Sequence, residues 1–206
     1  MHQMREAIMD GTFPADQPLR AKDLADQWQV SETPVREAFQ RLAADGFLVH
    51  LSHRGVRVAP ISGDELTELY EMRVVLEPMA LARSLQRADD AWLASVDSAW
   101  SRMQSIVQAD VLDRVRYEHA HRAWHYALVS AAGESWWPRT VRLLRDQCER
   151  YWVLSLVPRD IAEVTREHEQ IQQATMACRV HEASRLLTEH IAASEAHVRK
   201  QLGDGV

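Results

Sequence analysis

The sequence predicts a mainly α protein in two parts, an N-terminal winged helix-turn-helix followed by a C-terminal all-α six-helix bundle. Three observations carry this. Residues 24–58 hold two apolar stretches of helical period joined by a tight turn. Two short β-rich runs follow at once, around a basic Arg-Gly tip. Beyond Ser62 the strand signals fade, and six helical stretches succeed one another across short Gly-, Pro- or Asp-marked breaks.

A first helix is expected over about 1–10. Leu24, Ala25 and Trp28 give the next one an apolar stripe. Ser31 is a good N-cap for the third helix, and Pro34 suits its first turn, where a missing N–H costs nothing. Val35, Ala38, Phe39 and Leu42 then recur at helical spacing and must face a core. Glu32, Thr33, Arg36, Glu37 and Gln40 lie mostly off that stripe. Gly46 can end this helix, and residues 47–49 and 56–58 read as strands. A helix with Ser31, Thr33 and Arg36 on its first turns can enter a DNA major groove, and a hairpin tipped with His53, Arg54 and Gly55 can lie along the phosphates beside it. The helix's positive N-terminal end also favours a nearby phosphate.

These residues resemble the GntR superfamily of bacterial transcription regulators. The matching words are Val30-Ser31-x-Thr33-Pro34-Val35-Arg36-Glu37-Ala38-Phe39, Arg41-Leu42-Ala43-Ala44-Asp45-Gly46-Phe47 and Arg54-Gly55-Val56-Arg57-Val58. By that resemblance Lys22, Ser31, Thr33, Arg36, Arg54 and Gly55 fall at DNA-contacting positions. Glu32 stands where the family usually has Arg, Gln29 where the turn usually has Gly, and Ala15-Asp16 where Pro-Gly is usual. A carboxylate at Glu32 repels phosphates but can accept from a cytosine amino group. If Gln29 takes positive φ, it costs about 1 kcal/mol relative to Gly.

Composition excludes several classes. The 206 residues are 46% hydrophobic and 26% charged, as in an ordinary soluble globular protein. No apolar run reaches the roughly 20 residues of a membrane span, and no signal-peptide pattern opens the chain, so a cytoplasmic location is expected. Cys148 and Cys178 are too few to imply a disulfide framework. The net charge is −6, and residues 1–60 carry seven Lys and Arg against eight Asp and Glu. This argues against a DNA coat driven by bulk charge; a specific binder with a local basic face is compatible with it, with a modest salt dependence.

After a short Pro60-Ile61 linker, Ser62-Gly63-Asp64-Glu65 forms a capping box for a helix running to about residue 87. Further helices are expected over 90–108, 111–132, 137–157, 161–178 and 181–202. Gly133 and Pro158 break the series, and Asp160 with Glu163 caps the fifth helix of the bundle. The expected division is 1–60 for the winged helix and 61–206 for the bundle.

Four of the ten histidines sit on apolar helical faces. His121 and His125 are four apart and share a face with Trp124 and Leu128. His168 lies between Val164 and Ile171, and His190 beside Leu186, Leu187 and Ile191. Imidazoles aimed inward from three helices suit a divalent transition metal. A single histidine on an apolar face is more often a hydrogen-bonded core residue than a ligand. His2, His50, His53, His119, His181 and His197 read as surface or wing residues.

Residues 62–200 resemble the FadR C-terminal domain, the all-helical effector module of one GntR branch. The words are 69–77, LYEMRVVLE; 124–128, WHYAL, with 131–133, AAG; 167–171, EHEQI; and 186–191, LLTEHI. The family's metal set is an Asp or Asn with three histidines, which implies His125, His168 and His190 here. His121 occupies the acidic position, Trp124 replaces Phe, and Glu134 replaces Asn. Zinc or nickel is the implied metal. Arg73 lies inward with Leu69 and Leu76, with Glu77 at i+4. It reads equally as an intrahelical ion pair or as a guanidinium awaiting a ligand carboxylate. The family's metal and Arg together imply a small organic-acid effector.

The combined expectation is a metabolite-responsive transcription regulator acting as a homodimer on double-stranded DNA. Two recognition helices related by a two-fold axis match a pseudo-palindromic operator. A rival reading is a metal-dependent hydrolase, in which the histidine cluster activates water. No carboxylate or nucleophile is placed as its general base, so no catalytic residue is assigned. A third reading is a DNA-binding protein whose histidines are only structural.

Overall fold

The computed structural model describes residues 1–51, 55–133, 135–152 and 159–202. It contains, in order, α1 (His2–Met9), β1 (Pro18–Leu19), α2 (Ala21–Trp28), α3 (Glu32–Ala44), β2 (Leu48–Leu51), β3 (Gly55–Val58), α4 (Gly63–Leu85), α5 (Asp90–Val107) and α6 (Arg114–Leu128). A 3-10 turn (Ser130–Ala132), α7 (Trp136–Trp152), α8 (Ile161–Met176) and α9 (Val180–Leu202) complete it. The chain packs as two compact units. One comprises Met1–Leu69, Arg145–Val157 and Val198–Val206, the other Tyr70–Leu144 and Pro158–His197.

In the first unit, the stripe expected on α3 is the core. Val35, Ala38, Phe39 and Leu42 are all buried, with Leu24, Phe47, Val56 and Val58. Burying a side chain of this size contributes about 1.5–3 kcal/mol, which is why the polar residues of α3 end up outside. The sheet order is β1-β3-β2, all antiparallel, with Leu48 opposite Val58 and Leu51 opposite Gly55. β1 is absent from the sequence reading, since two residues carry no period. It pairs Pro18 with Arg57 and Leu19 with Val56, and Pro fits the first residue of an edge strand. Gly55 has φ +98, and a Cβ there would lie 2.9 Å from the Leu19 carbonyl oxygen, so this close approach needs glycine.

Two of the family departures prove to be left-handed residues. Gln29 ends α2 with φ 54 and ψ 43. Asp16 has φ 65, a conformation Asp tolerates better than most residues. Ser31 is the N-cap of α3, but its side chain makes no capping hydrogen bond.

The segment read as a linker is held down. The Ala59 N–H donates to the Phe47 carbonyl at 2.9 Å. Arg150 of α7 donates to the Ala59 and Pro60 carbonyl oxygens at 2.8 and 2.7 Å and to Gln147 at 2.7 Å. Gln147 in turn donates to the Asp45 carbonyl. Arg5 pairs with Asp146 at 2.7 Å and also with Asp45, and Tyr151 donates to Glu65. Burial pushes the Arg150 guanidinium below its usual pKa, a strain offset by these three acceptors and by Glu65 at 4.0 Å.

Helix boundaries in the bundle shift for identifiable reasons. The Glu65 N–H donates to Ser62 Oγ at 3.3 Å, one half of the expected capping box, while the Ser62 N–H donates to the Tyr151 hydroxyl at 3.4 Å, and α4 passes through Pro78 to end at Leu85. α6 begins at Arg114 rather than 111, because Asp113 accepts from the Arg116 N–H. It stops at Leu128, and a separate 3-10 turn leads to Gly133 at φ 78. Asp89 and Asp160 cap α5 and α8 through the N–H groups of Trp92 and Ala162. Residues 153–158, including Pro158, and Glu134 lie outside the described residues. Cys148 is buried and Cys178 exposed.

Candidate metal centre and nucleic-acid interface

The second unit brings the four inward histidines together. α6 supplies His121 and His125 one turn apart, α8 supplies His168 and α9 His190. Their ligand nitrogens all lie within 4.8 Å of one another. The His125 and His121 Nε2 atoms are 3.0 Å apart, and the His168 Nε2 is 3.3 Å from those of both His121 and His190. His125, His168 and His190 are buried, while His121 is partly exposed and forms the solvent side.

Each Nε2 has a single in-plane direction, bearing either a proton or a lone pair. His121 and His168 each use that one direction for two neighbours. The three short contacts therefore cannot all be hydrogen bonds. One cation on which the lone pairs converge would satisfy all of them. A metal–nitrogen bond of about 2.0–2.1 Å in tetrahedral coordination implies nitrogen–nitrogen edges of about 3.3–3.4 Å; three of the contacts, at 3.0–3.3 Å, come close to this, while the whole set spans up to 4.8 Å and must draw together for all four nitrogens to bind one ion. The donor set thus fits a divalent transition metal.

The surroundings of the cluster are specific. Trp124, fully buried, packs edge-on against His125 and His168 with ring centroids 4.7 and 4.9 Å away. Its indole N–H donates to Gln172 at 2.9 Å. Tyr117 stacks on His121 at 5.7 Å, and burial pushes its hydroxyl pKa up. His190 Nδ1 lies 2.7 Å from Glu167 Oε2, and Arg159 donates to both oxygens of that carboxylate. Burial pushes Glu167 up, but the hydrogen bonds from His190 and Arg159 outweigh it and hold its pKa down at about 2. Glu167, Arg159, Gln172 and Tyr117 were given no role in the sequence reading. The only available sign was Glu167 preceding His168.

Arg73 is buried on α4, 4% exposed, with its Nε 2.5 Å from Glu77 Oε1, itself 2% exposed. Its guanidinium lies 4.7 Å from the Tyr70 ring centroid. A pair this deeply buried is not the weak surface pair that i,i+4 spacing alone suggests.

In the first unit, Lys22, Ser31, Thr33, Arg36 and Gly55 are all exposed. His53 and Arg54 lie outside the described residues. Arg36 and Glu32 form an exposed ion pair, Nη2 to Oε2, at 2.6 Å. Arg57 is likewise paired with Asp16 at 2.8 Å. Both guanidinium groups are thus engaged by carboxylates of the same unit.

Residues 1–58 match the model of bacterial regulatory proteins, gntR family, and residues 68–193 match the FCD domain. The HTH-type transcriptional regulator BphR of Paraburkholderia xenovorans is 32% identical over 96% of this chain and 83% of its own length. The HTH-type transcriptional repressor GlaR of Escherichia coli is 26% identical over 91% of this chain and 89% of its own. The solved structure of E. coli McbR/YncC superimposes with a TM-score of 0.84 at 20% identity, covering 98% of this chain and 96% of that one.

Proposed function

The chain belongs to the gntR family of bacterial regulatory proteins and carries an FCD domain, and on that premise we propose that it is a metal-assisted, carboxylate-responsive regulator working as a cytoplasmic homodimer. Regulation of transcription through DNA binding follows from the family. The relatives are regulators rather than enzymes, which sets the hydrolase reading aside. No helix among the described residues is long and apolar enough to cross a membrane.

Residues 1–60 read DNA in this proposal, and residues 61–206 bind the effector. Ser31, Thr33 and Arg36 of α3 enter the major groove, with Lys22, Arg54 and Gly55 along the backbone. One chain offers one such helix, so a pseudo-palindromic operator calls for two chains.

His121, His125, His168 and His190 hold the metal, zinc or nickel. Convergence of four Nε2 atoms is the observation that carries this. When bound, the ion would supply a Lewis-acid position for an anionic oxygen of the effector by expanding from the four imidazoles to a fifth ligand. Neutral imidazoles bring no charge to offset a dication, unlike the Asp-containing set of the family, so a carboxylate ligand is favoured electrostatically. Arg73 is the proposed second carboxylate contact, and it must then share its guanidinium between Glu77 and the ligand. A ligand alters DNA binding only insofar as it prefers one conformational state over another.

The test uses protein reconstituted with zinc or nickel, a labelled operator selected from random duplexes, and a panel of small mono- and dicarboxylates. At least one acid is expected to change operator affinity by about 5–150-fold, the usual range of such coupling. Removal of the metal by a chelator should abolish that change without abolishing DNA binding. An effector response that survives full metal removal would overturn the proposal.

A further inference from the structure

We propose that Glu167, held by Arg159, is the positioning residue that fixes the His190 ring as a metal ligand, an inference that rests on the metal reading above. Glu167 and His168 are neighbours on α8, and His190 comes from α9. One turn of α8 thus delivers a ligand ring and also the carboxylate that orients a second ring on the facing helix. His190 Nδ1 lies 2.7 Å from Glu167 Oε2. An ionised carboxylate only accepts, so Nδ1 carries the proton and donates it. In a neutral ring this leaves Nε2 bare, and it is Nε2 that faces the cluster, 3.3 Å from His168 Nε2. Without the carboxylate, the ring can place its proton on Nε2 or rotate away, and either loses the donor.

Arg159 completes the device. Its side chain is only 6% exposed, and both terminal nitrogens donate to Glu167, one to each oxygen, while Glu163 stands 3.7 Å off. A two-pronged donor fixes the carboxylate plane, and that plane fixes the direction from which the His190 N–H must approach. The resulting chain, Arg159 to Glu167 to His190, runs entirely through charge-assisted hydrogen bonds. Outer-shell partners of this kind alter metal affinity by about 10–100-fold when removed.

The experiment is a competition titration of Zn2+ against a chromophoric chelator for the full chain and for Glu167→Gln, Glu167→Ala, Arg159→Lys and Glu163→Gln. Melting of each metal-free protein is measured in parallel, and the visible spectrum is recorded after loading with Co2+. Glu167→Gln keeps the side chain's size and is the variant on which the result turns if Glu167→Ala fails to fold. The dissociation constant should rise about 10–100-fold for Glu167→Ala and about tenfold for Glu167→Gln, with an altered Co2+ spectrum. Glu163→Gln, which touches Arg159 but not His190, should leave both unchanged. A merely structural Glu167 would lower the metal-free melting temperature while affinity and spectrum stayed at wild-type values, and that outcome overturns the inference alone. A wild-type chain that fails to take up Zn2+ overturns the metal reading and this inference together.

Discussion

Glu32→Gln is the substitution that most sharply probes how α3 meets DNA. Glu32 and Arg36 face solvent at 42% and 67% exposure and pair at 2.6 Å. An exposed i,i+4 pair of this kind is worth about 0.3–0.5 kcal/mol, so freeing Arg36 from Glu32 changes its availability only about twofold. The larger effect is the removal of one negative charge from the face presented to phosphate. If that face meets the duplex, the log–log salt dependence of binding should steepen by up to about 0.9, the amount one net charge contributes. Affinity for random duplex should therefore rise about twofold or more at low salt, and it should fall about threefold to fourfold further than wild type between about 50 and 200 mM salt. Fluorescence anisotropy with a labelled duplex at several salt concentrations measures both. On a selected operator, loss of discrimination at one C·G pair would identify Glu32 as the acceptor for a cytosine amino group, a contact worth about 1–3 kcal/mol. Unchanged affinity and unchanged slope on both DNAs would refute the placement of this end of α3 against the duplex.

Three further outcomes follow from local geometry. Gln29→Gly should stabilise the chain by about 1 kcal/mol, raising the melting temperature by about 2–4 °C, because the residue sits at φ 54 and is exposed; a lower melting temperature would contradict it. Ser31→Ala should cost less than about 0.5 kcal/mol in urea unfolding, since its hydroxyl makes no capping bond, whereas Asp160→Ala should cost about 1 kcal/mol; equal costs would show that the two caps are alike. Arg150→Met removes the donors to the Ala59 and Pro60 carbonyls and should cost on the order of 3 kcal/mol, a melting shift of about 6–12 °C by circular dichroism, and a shift under about 2 °C would contradict it.

What the sequence made legible was whatever local periodicity encodes. The stripe of Val35, Ala38, Phe39 and Leu42 placed α3 and its polar face, and the inward spacing of His121, His125, His168 and His190 marked the cluster that the structure assembles. Gln29 could be flagged because the resembled family usually has Gly at that turn, and its φ of 54 shows why. The rest depends on partners distant in sequence. Arg150 and Gln147 pack with the first sixty residues across some 90–100 positions, and nothing in a helical repeat signals that. Glu167 lies 23 residues from the histidine it orients. β1 is two residues long and exists only because β3 offers it an edge. Asp113 moved the start of α6 because a capping bond outcompeted the apolar residues before it. Arg73 was correctly read as inward, but its burial with Glu77 could not be read from i,i+4 spacing.

Metal stoichiometry is the most direct test of the central claim. The chain is reconstituted with Zn2+ or Ni2+, freed of loosely bound ion and measured by elemental analysis beside His125→Ala, His168→Ala, His190→Ala and His121→Asp. About one metal per wild-type chain is expected. It should be lost or much weakened in the three alanine variants, and it should be kept in His121→Asp, where a carboxylate replaces the imidazole as donor. Wild-type protein without stoichiometric metal, or alanine variants that retain it fully, would contradict a four-imidazole metal centre and leave these side chains as core histidines.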